Sequence, residues 1–256
     1  MCCFSVTAPV GILGRLFAPK IHVSKTNIFA RMIAPGVQAL AYGMNLSTTR
    51  EVAMILPLPV VRESGEDAVR FISLEKDPRM FDELGELFAV MQPLARKGGG
   101  LEMALQSIPK LVVHEIGSFI ASYVPRREDF ARLDARFRLP SVLFDAVPHY
   151  ADYGFAVFQL APGKVTVHPM AMTFPTRTPD KLFFPTVHVH DGRFHATAKF
   201  DHALYYQRLG DAVETDEVAW MKPRKSYEDL VVAEQAMARR TLHAKLPNED
   251  VWIAAT

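Results

Sequence analysis

The chain has 256 residues, 49% of them hydrophobic, and its 29 Lys plus Arg against 28 Asp plus Glu leave a net charge of +1. A hydrophobic share of that size supplies a core and excludes a disordered chain. The charge balance gives no electrostatic ground for a nucleic-acid partner, and no basic run interleaved with aromatics is present.

From the N-terminus, residues 1–20 form an apolar segment with no charged region ahead of it, which is not the pattern of a secretory signal. The two cysteines are the adjacent Cys2 and Cys3. Neighbouring cysteines rarely bridge, and no spaced cysteine framework exists, so a reducing compartment is expected. No run approaches the roughly 18 apolar residues that span a bilayer. Together these features predict a cytoplasmic protein with no transmembrane segment.

Eighteen prolines and fourteen glycines are spread along the chain, as suits many short strands joined by turns within one compact domain, residues 1–256. Strands are predicted at His22-Val23, Asn27 to Ala30, Val37 to Leu46 and Val52 to Leu58. Others follow at Leu111 to Val124, Phe155 to Leu160, Lys164 to His168 and Trp252 to Ala254. Val52 to Leu58 is almost continuously apolar, the mark of a strand buried on both faces. Helical spacing appears in Pro78 to Phe88 and in Arg127 to Phe137. A C-terminal helix is predicted over residues 226–245, with Ser226 as its N-cap, Glu228 and Asp229 in its first turn, and Pro247 beyond its end. Lys97-Gly98-Gly99-Gly100 reads as a loop; without a following Lys-Ser/Thr it is no phosphate cradle. No dinucleotide-binding fingerprint, nucleophile elbow or zinc-protease helix motif occurs.

Some of these segments carry a resemblance. Gln38 to Gly43 leading to Ala53-Met54-Ile55-Leu56-Pro57-Leu58-Pro59 resembles the early half of an uncharacterised bacterial family called domain of unknown function 2330. Glu115-Ile116-Gly117-Ser118-Phe119, the segment Asp129 to Pro140 and the strand Tyr150 to Leu160 are similar to its later elements. The resemblance spans roughly residues 20–185. It implies a β-rich fold and no particular chemistry.

The densest chemistry lies in Phe184 to His202. Asp191-Gly192 between alternating segments predicts a β-hairpin, because a two-residue turn of that type needs φ > 0 at both positions. With that turn, His188 pairs with His195 and His190 with Arg193. Successive strand residues face opposite ways, so His188, His190 and His195 share one face, opposite Val187, Val189, Phe194 and Phe200. Three neutral imidazoles so gathered suit Zn²⁺, with Cu or Fe as alternatives. His202 falls on the other face and joins only through a bulge. Arg193, Thr197 and Lys199 share the histidine face, which is also how a solvent-facing edge reads.

A second candidate is Cys2, which removal of Met1 exposes as an N-terminal cysteine whose own α-amine can serve as base to the thiol. This is the logic of an N-terminal cysteine amidohydrolase. Cys2 or Cys3 could also complete the histidine site. His149 to Tyr153 groups polar aromatics that could line a cleft.

The expectation is thus a β-rich α+β fold, with packed antiparallel sheets in a sandwich-like arrangement and about three flanking helices, one of them C-terminal. The leading function is metal binding, or a metal-dependent enzyme, through His188, His190 and His195. The alternatives are the Cys2 amidohydrolase and a non-enzymatic interaction module. The partner expected is a small molecule or a protein.

Overall fold

The computed structural model describes residues 2–5, 21–49, 51–89, 114–116, 119–134, 141–189, 193–208 and 213–256. Two sheets carry most of it. The six-stranded sheet runs β11 (His188–Val189), β1 (Cys2–Ser5), β4 (Val52–Leu58), β8 (Gly154–Leu160), β7 (Phe119–Val124) and β6 (His114–Ile116). The seven-stranded sheet runs β14 (Glu217–Val218), β15 (Ala238–Leu242), β13 (His202–Tyr206), β2 (His22–Ala34), β3 (Val37–Thr48), β9 (Gly163–Pro175) and β5 (Arg70–Ser73). Two short ladders complete the set: β10 (Lys181–Phe184) with β17 (Val251–Ala254), and β12 (Thr197–Lys199) with β16 (Lys245–Pro247). Pairing is antiparallel throughout these ladders except between β1 and β11 and between β2 and β13. The β-rich α+β fold is as expected.

Alternation within the strands builds three apolar layers. Met54, Leu56 and Leu58 of β4 meet Leu40 and Tyr42 of β3 and Leu204 and Tyr206 of β13 in a core between the sheets. The other face of β4, Ala53 and Ile55, joins Val124, Phe155, Val187 and Val189 under the 3-10 turn Arg127–Arg132 and the helix α2 (Ser141–Ala146). All seven residues of β4 are buried, as its apolar run predicts. The outer face of the seven-stranded sheet, with Phe29, Ala39, Ala41 and Tyr205, is covered by α1 (Met80–Glu86) through Met80, Phe81 and Leu84. Burying one such large side chain contributes about 1.5–3 kcal/mol. Close approach of α1 depends on Gly43 of β3, where an added Cβ would lie 2.6 Å from the Phe81 ring.

Two predicted helices shorten, to Met80–Glu86 and to the 3-10 turn Arg127–Arg132. The helix over 226–245 does not form. Tyr227, Glu228 and Asp229 turn left-handed instead, with φ of +49, +54 and +64°. The Ser226 carbonyl accepts the Val231 amide at 2.8 Å, and Arg31 donates to the carbonyls of Asp229 and Leu230 at 2.7 and 2.8 Å. The turn thereby buries Tyr227, Leu230 and Val231 on the outer face of the seven-stranded sheet. Residues 238–242 become β15, whose Arg240 reaches back to Asp216 at 2.8 and 3.0 Å. Sheet pairing and that ion pair outweigh a helical propensity worth only tenths of a kcal/mol per residue. The Gly-rich loop at 97–100 lies outside the described residues.

Left-handed backbone costs a non-glycine residue roughly 1–2 kcal/mol. Glu228 is exposed, so Glu228→Gly should raise stability by about 0.5–1 kcal/mol, offset in part by glycine's greater unfolded-state entropy. Gly43→Ala should lower it by about 1–3 kcal/mol through overpacking against Phe81. Urea unfolding of the two variants beside the wild type measures both.

Candidate functional site

The hairpin expected over residues 184–202 is not the arrangement found. His188 stands in register with Cys2 of β1, and residues 197–199 pair with 245–247, so the two flanks of Asp191-Gly192 take other partners. Where His188 and His195 were expected to pair with each other, the Asn248 side chain stands between them. Its Nδ2 donates to the carbonyls of both His188 and His195 at 2.9 Å. Its Oδ1 accepts the His188 amide at 2.7 Å. The side chain of Asp250 continues the pattern one residue earlier, accepting the Val187 amide at 3.1 Å, and takes the Tyr150 hydroxyl at 2.5 Å. His190 lies outside the described residues, and His195 is exposed.

Strand alternation still holds at β11. Val187 and Val189 enter the outer apolar layer, so His188 turns inward, toward the other sheet. There it meets His202. The two Nε2 atoms are 2.9 Å apart, with ring planes 30° from parallel. His202 faces inward because Leu204 and Tyr206, which share its side of β13, lie in the core between the sheets. The expectation that His202 faces away assumed an unbroken strand. In the structure the ladder of β12 ends at Lys199 and that of β13 starts at His202, so no parity carries across Phe200 and Asp201. The Phe200 ring packs against both imidazoles, at 4.7 Å from His188 and 5.2 Å from His202.

His202 is 1% exposed. Its Nδ1 makes no hydrogen bond and stands 3.7 Å from Asp201 Oδ1, within ionic reach. Asp201 Oδ2 in turn accepts the Lys25 amide at 2.7 Å. Burial pushes the His202 ring below its ordinary range, although Asp201 opposes this. Burial would raise the Asp201 carboxyl, but His202, the Lys25 amide and His188 together hold it below its ordinary range. A carboxylate beside Nδ1 favours the tautomer protonated there, leaving Nε2 of His202 as the acceptor facing His188. Asp201 and His202 also border an open cleft of about 630 Å³, lined among others by Lys25, Arg79, Phe81, Tyr205 and His243.

The pair thus lies between the sheets with an acidic residue behind His202, and of its two members only His202 borders that cleft. Among the described residues no group of three or more His, Cys, Asp or Glu is placed to hold a metal ion. Of the segment His149 to Tyr153, Tyr150 is buried, while Ala151 and Asp152 line a second cleft of about 460 Å³, Asp152 ion-paired with Arg62 and Arg177 at 2.7 Å each. Neither Asn248 nor the turn of parity at Phe200-Asp201 announces itself in the sequence; a Pro-Asn dipeptide at 247–248 signals only a turn.

No family model matches the chain, and no curated protein matches it. Among solved structures it is similar to baculovirus P35, at 12% identity over 92% of this chain and 97% of that one, with a TM-score of 0.47. A mutated baculovirus P35 after caspase cleavage matches at 12% identity over 91% and 99%, with a TM-score of 0.49. The caspase-8/P35 complex matches at 12% identity over 98% and 99%, with a TM-score of 0.47. At that distance the likeness assigns no residue of this chain a role. No helix among the described residues is long and apolar enough to cross a membrane.

Burial lowers the affinity of His202 for protons, and it does the same for His168 and His149. Each binds a proton more readily unfolded than folded. Their contribution to stability is full above the ordinary value of 6.5 and is lost as pH falls below it. The melting temperature should therefore fall from about pH 7 to about pH 5, and His202→Asn should flatten that slope. A thermal scan across this window checks it; an unchanged slope in the variant would remove His202 from the account.

Proposed function

We propose that this protein binds a metal ion through His188 and His202. The observation that supports this is the 2.9 Å approach of two inward-facing Nε2 atoms, one from each sheet. Zinc accepts imidazole nitrogen at about 2.0–2.1 Å, so two such donors in tetrahedral geometry stand about 3.3 Å apart. A small rotation of either ring provides that separation, with the His188 proton moving to Nδ1. Asp201 behind His202 has the position of the carboxylate that commonly backs a metal-bound imidazole. Copper and iron accept the same donors. The neighbouring strand brings the Cys2 main chain into register with His188, and a thiolate is a donor that zinc and copper accept beside imidazole.

One second reading is an N-terminal cysteine amidohydrolase. A Cys2 thiol, with its own α-amine as base once Met1 is removed, would attack an amide carbonyl, the amine leaving with that proton and water then releasing the acyl group. The substrate would be an amide, and alkylation of the thiol would abolish turnover.

Metal analysis of the untagged protein distinguishes the two readings. The metal reading predicts near one zinc, copper or iron per chain, falling at least tenfold in occupancy in His188→Ala and in His202→Ala and remaining in His195→Ala. Absence of metal from the wild type, together with a thiol whose alkylation stops amide hydrolysis, would replace it with the second.

A further inference from the structure

β11 is a two-residue edge strand, and among the described residues only one of its sides meets another strand, β1. Its other side faces residues 248–250, which form no ladder with it. Side chains take the place of that ladder. Asn248 uses Oδ1 for the His188 amide and both hydrogens of Nδ2 for the carbonyls of His188 and His195. Its own amide donates to the Ala196 carbonyl at 3.0 Å. The residue is 5% exposed, and its side-chain amide has no spare donor. One planar group thereby binds both the amide and the carbonyl of His188 along the edge away from β1, and ties it to the far end of the segment that leads to His202.

We infer that Asn248 is the positioning residue of the histidine pair, holding the His188 main chain where Nε2 faces that of His202. The inference rests on the histidine pair as the working site and adds the group that orients it. Two features set Asn248 apart from an ordinary structural contact. It is the group that binds both the amide and the carbonyl of His188, so loss of its donors frees the strand to rotate or slide. It also spans His188 and His195, which no backbone ladder joins. Thr186 of the same segment offers a natural comparison: its hydroxyl donates to the Glu249 carbonyl at 2.7 Å and touches neither histidine.

The test uses the full chain as Asn248→Ala, Asn248→Asp and Thr186→Val. Asn248→Asp keeps shape and acceptor but loses both donor bonds, which serves if the alanine variant does not fold. The first readout is the ring-nitrogen NMR spectrum of His188 and His202, which reports tautomer and hydrogen bonding without any metal. Both Asn248 variants should move these signals toward those of freely exchanging imidazoles, while Thr186→Val lowers the melting temperature and leaves them in place. The second readout is titration with zinc chloride, where the Asn248 variants should bind 10–100-fold more weakly, as loss of a group that orients a ligand does. Wild-type ring signals in both Asn248 variants would overturn the inference. A wild type that binds no zinc would overturn the metal reading alone, with the ring spectra still deciding the role of Asn248.

Discussion

The arrangement depends on the burial of β4 on both faces. Its seven residues lie between two apolar layers, Met54, Leu56 and Leu58 toward the second sheet and Ala53 and Ile55 toward α2 and the 3-10 turn Arg127–Arg132. A strand so placed cannot expose either face, and each neighbour in its sheet inherits the same demand. β11 meets it at the edge: Val187 and Val189 fill the outer layer, which forces His188 into the space between sheets. On the opposing sheet Leu204 and Tyr206 fill the core and bring His202 to the same space. The histidine pair follows from two alternation patterns meeting.

Placing polar rings there carries an energetic demand. A buried imidazole without a partner costs about 1–3 kcal/mol, and His202 is almost fully enclosed. Its Nε2 finds His188, while its Nδ1 has only the distant carboxylate of Asp201. Burial lowers the proton affinity of His202, although Asp201 opposes this, and the ring meets its polar demand chiefly through His188. The buried amide of Gln38 is satisfied more conventionally, exchanging two hydrogen bonds with the Phe183 backbone at 2.8 and 3.0 Å.

Much of this was legible in the residue order. The continuous apolar run of β4, the strand over Phe155 to Leu160 and the alternation of Val187, His188 and Val189 hold, whereas Leu111 to Val124 contains two strands, β6 and β7, folded back on each other. What failed shared one cause: local signals were read across points where tertiary pairing intervenes. Asp191-Gly192 predicts a hairpin, yet β1 and Asn248 supply His188 with partners from both ends of the chain. Ser226 with Glu228 and Asp229 is a good helix start, yet the outer face of the seven-stranded sheet captures Tyr227 and Leu230 in a left-handed turn instead. Alternation predicts the wrong face for His202 because the strand breaks at Phe200 and Asp201, and no residue type there marks a break. Long-range pairing of this kind leaves little trace in local spacing.

The most direct measurement of the central claim is X-ray absorption at the zinc edge of protein loaded with one equivalent of zinc. The account predicts a nitrogen shell near 2.0–2.1 Å with the outer-shell scattering of two imidazoles, reduced to one in His202→Ala. A spectrum of oxygen ligands alone, unchanged by that substitution, would contradict it.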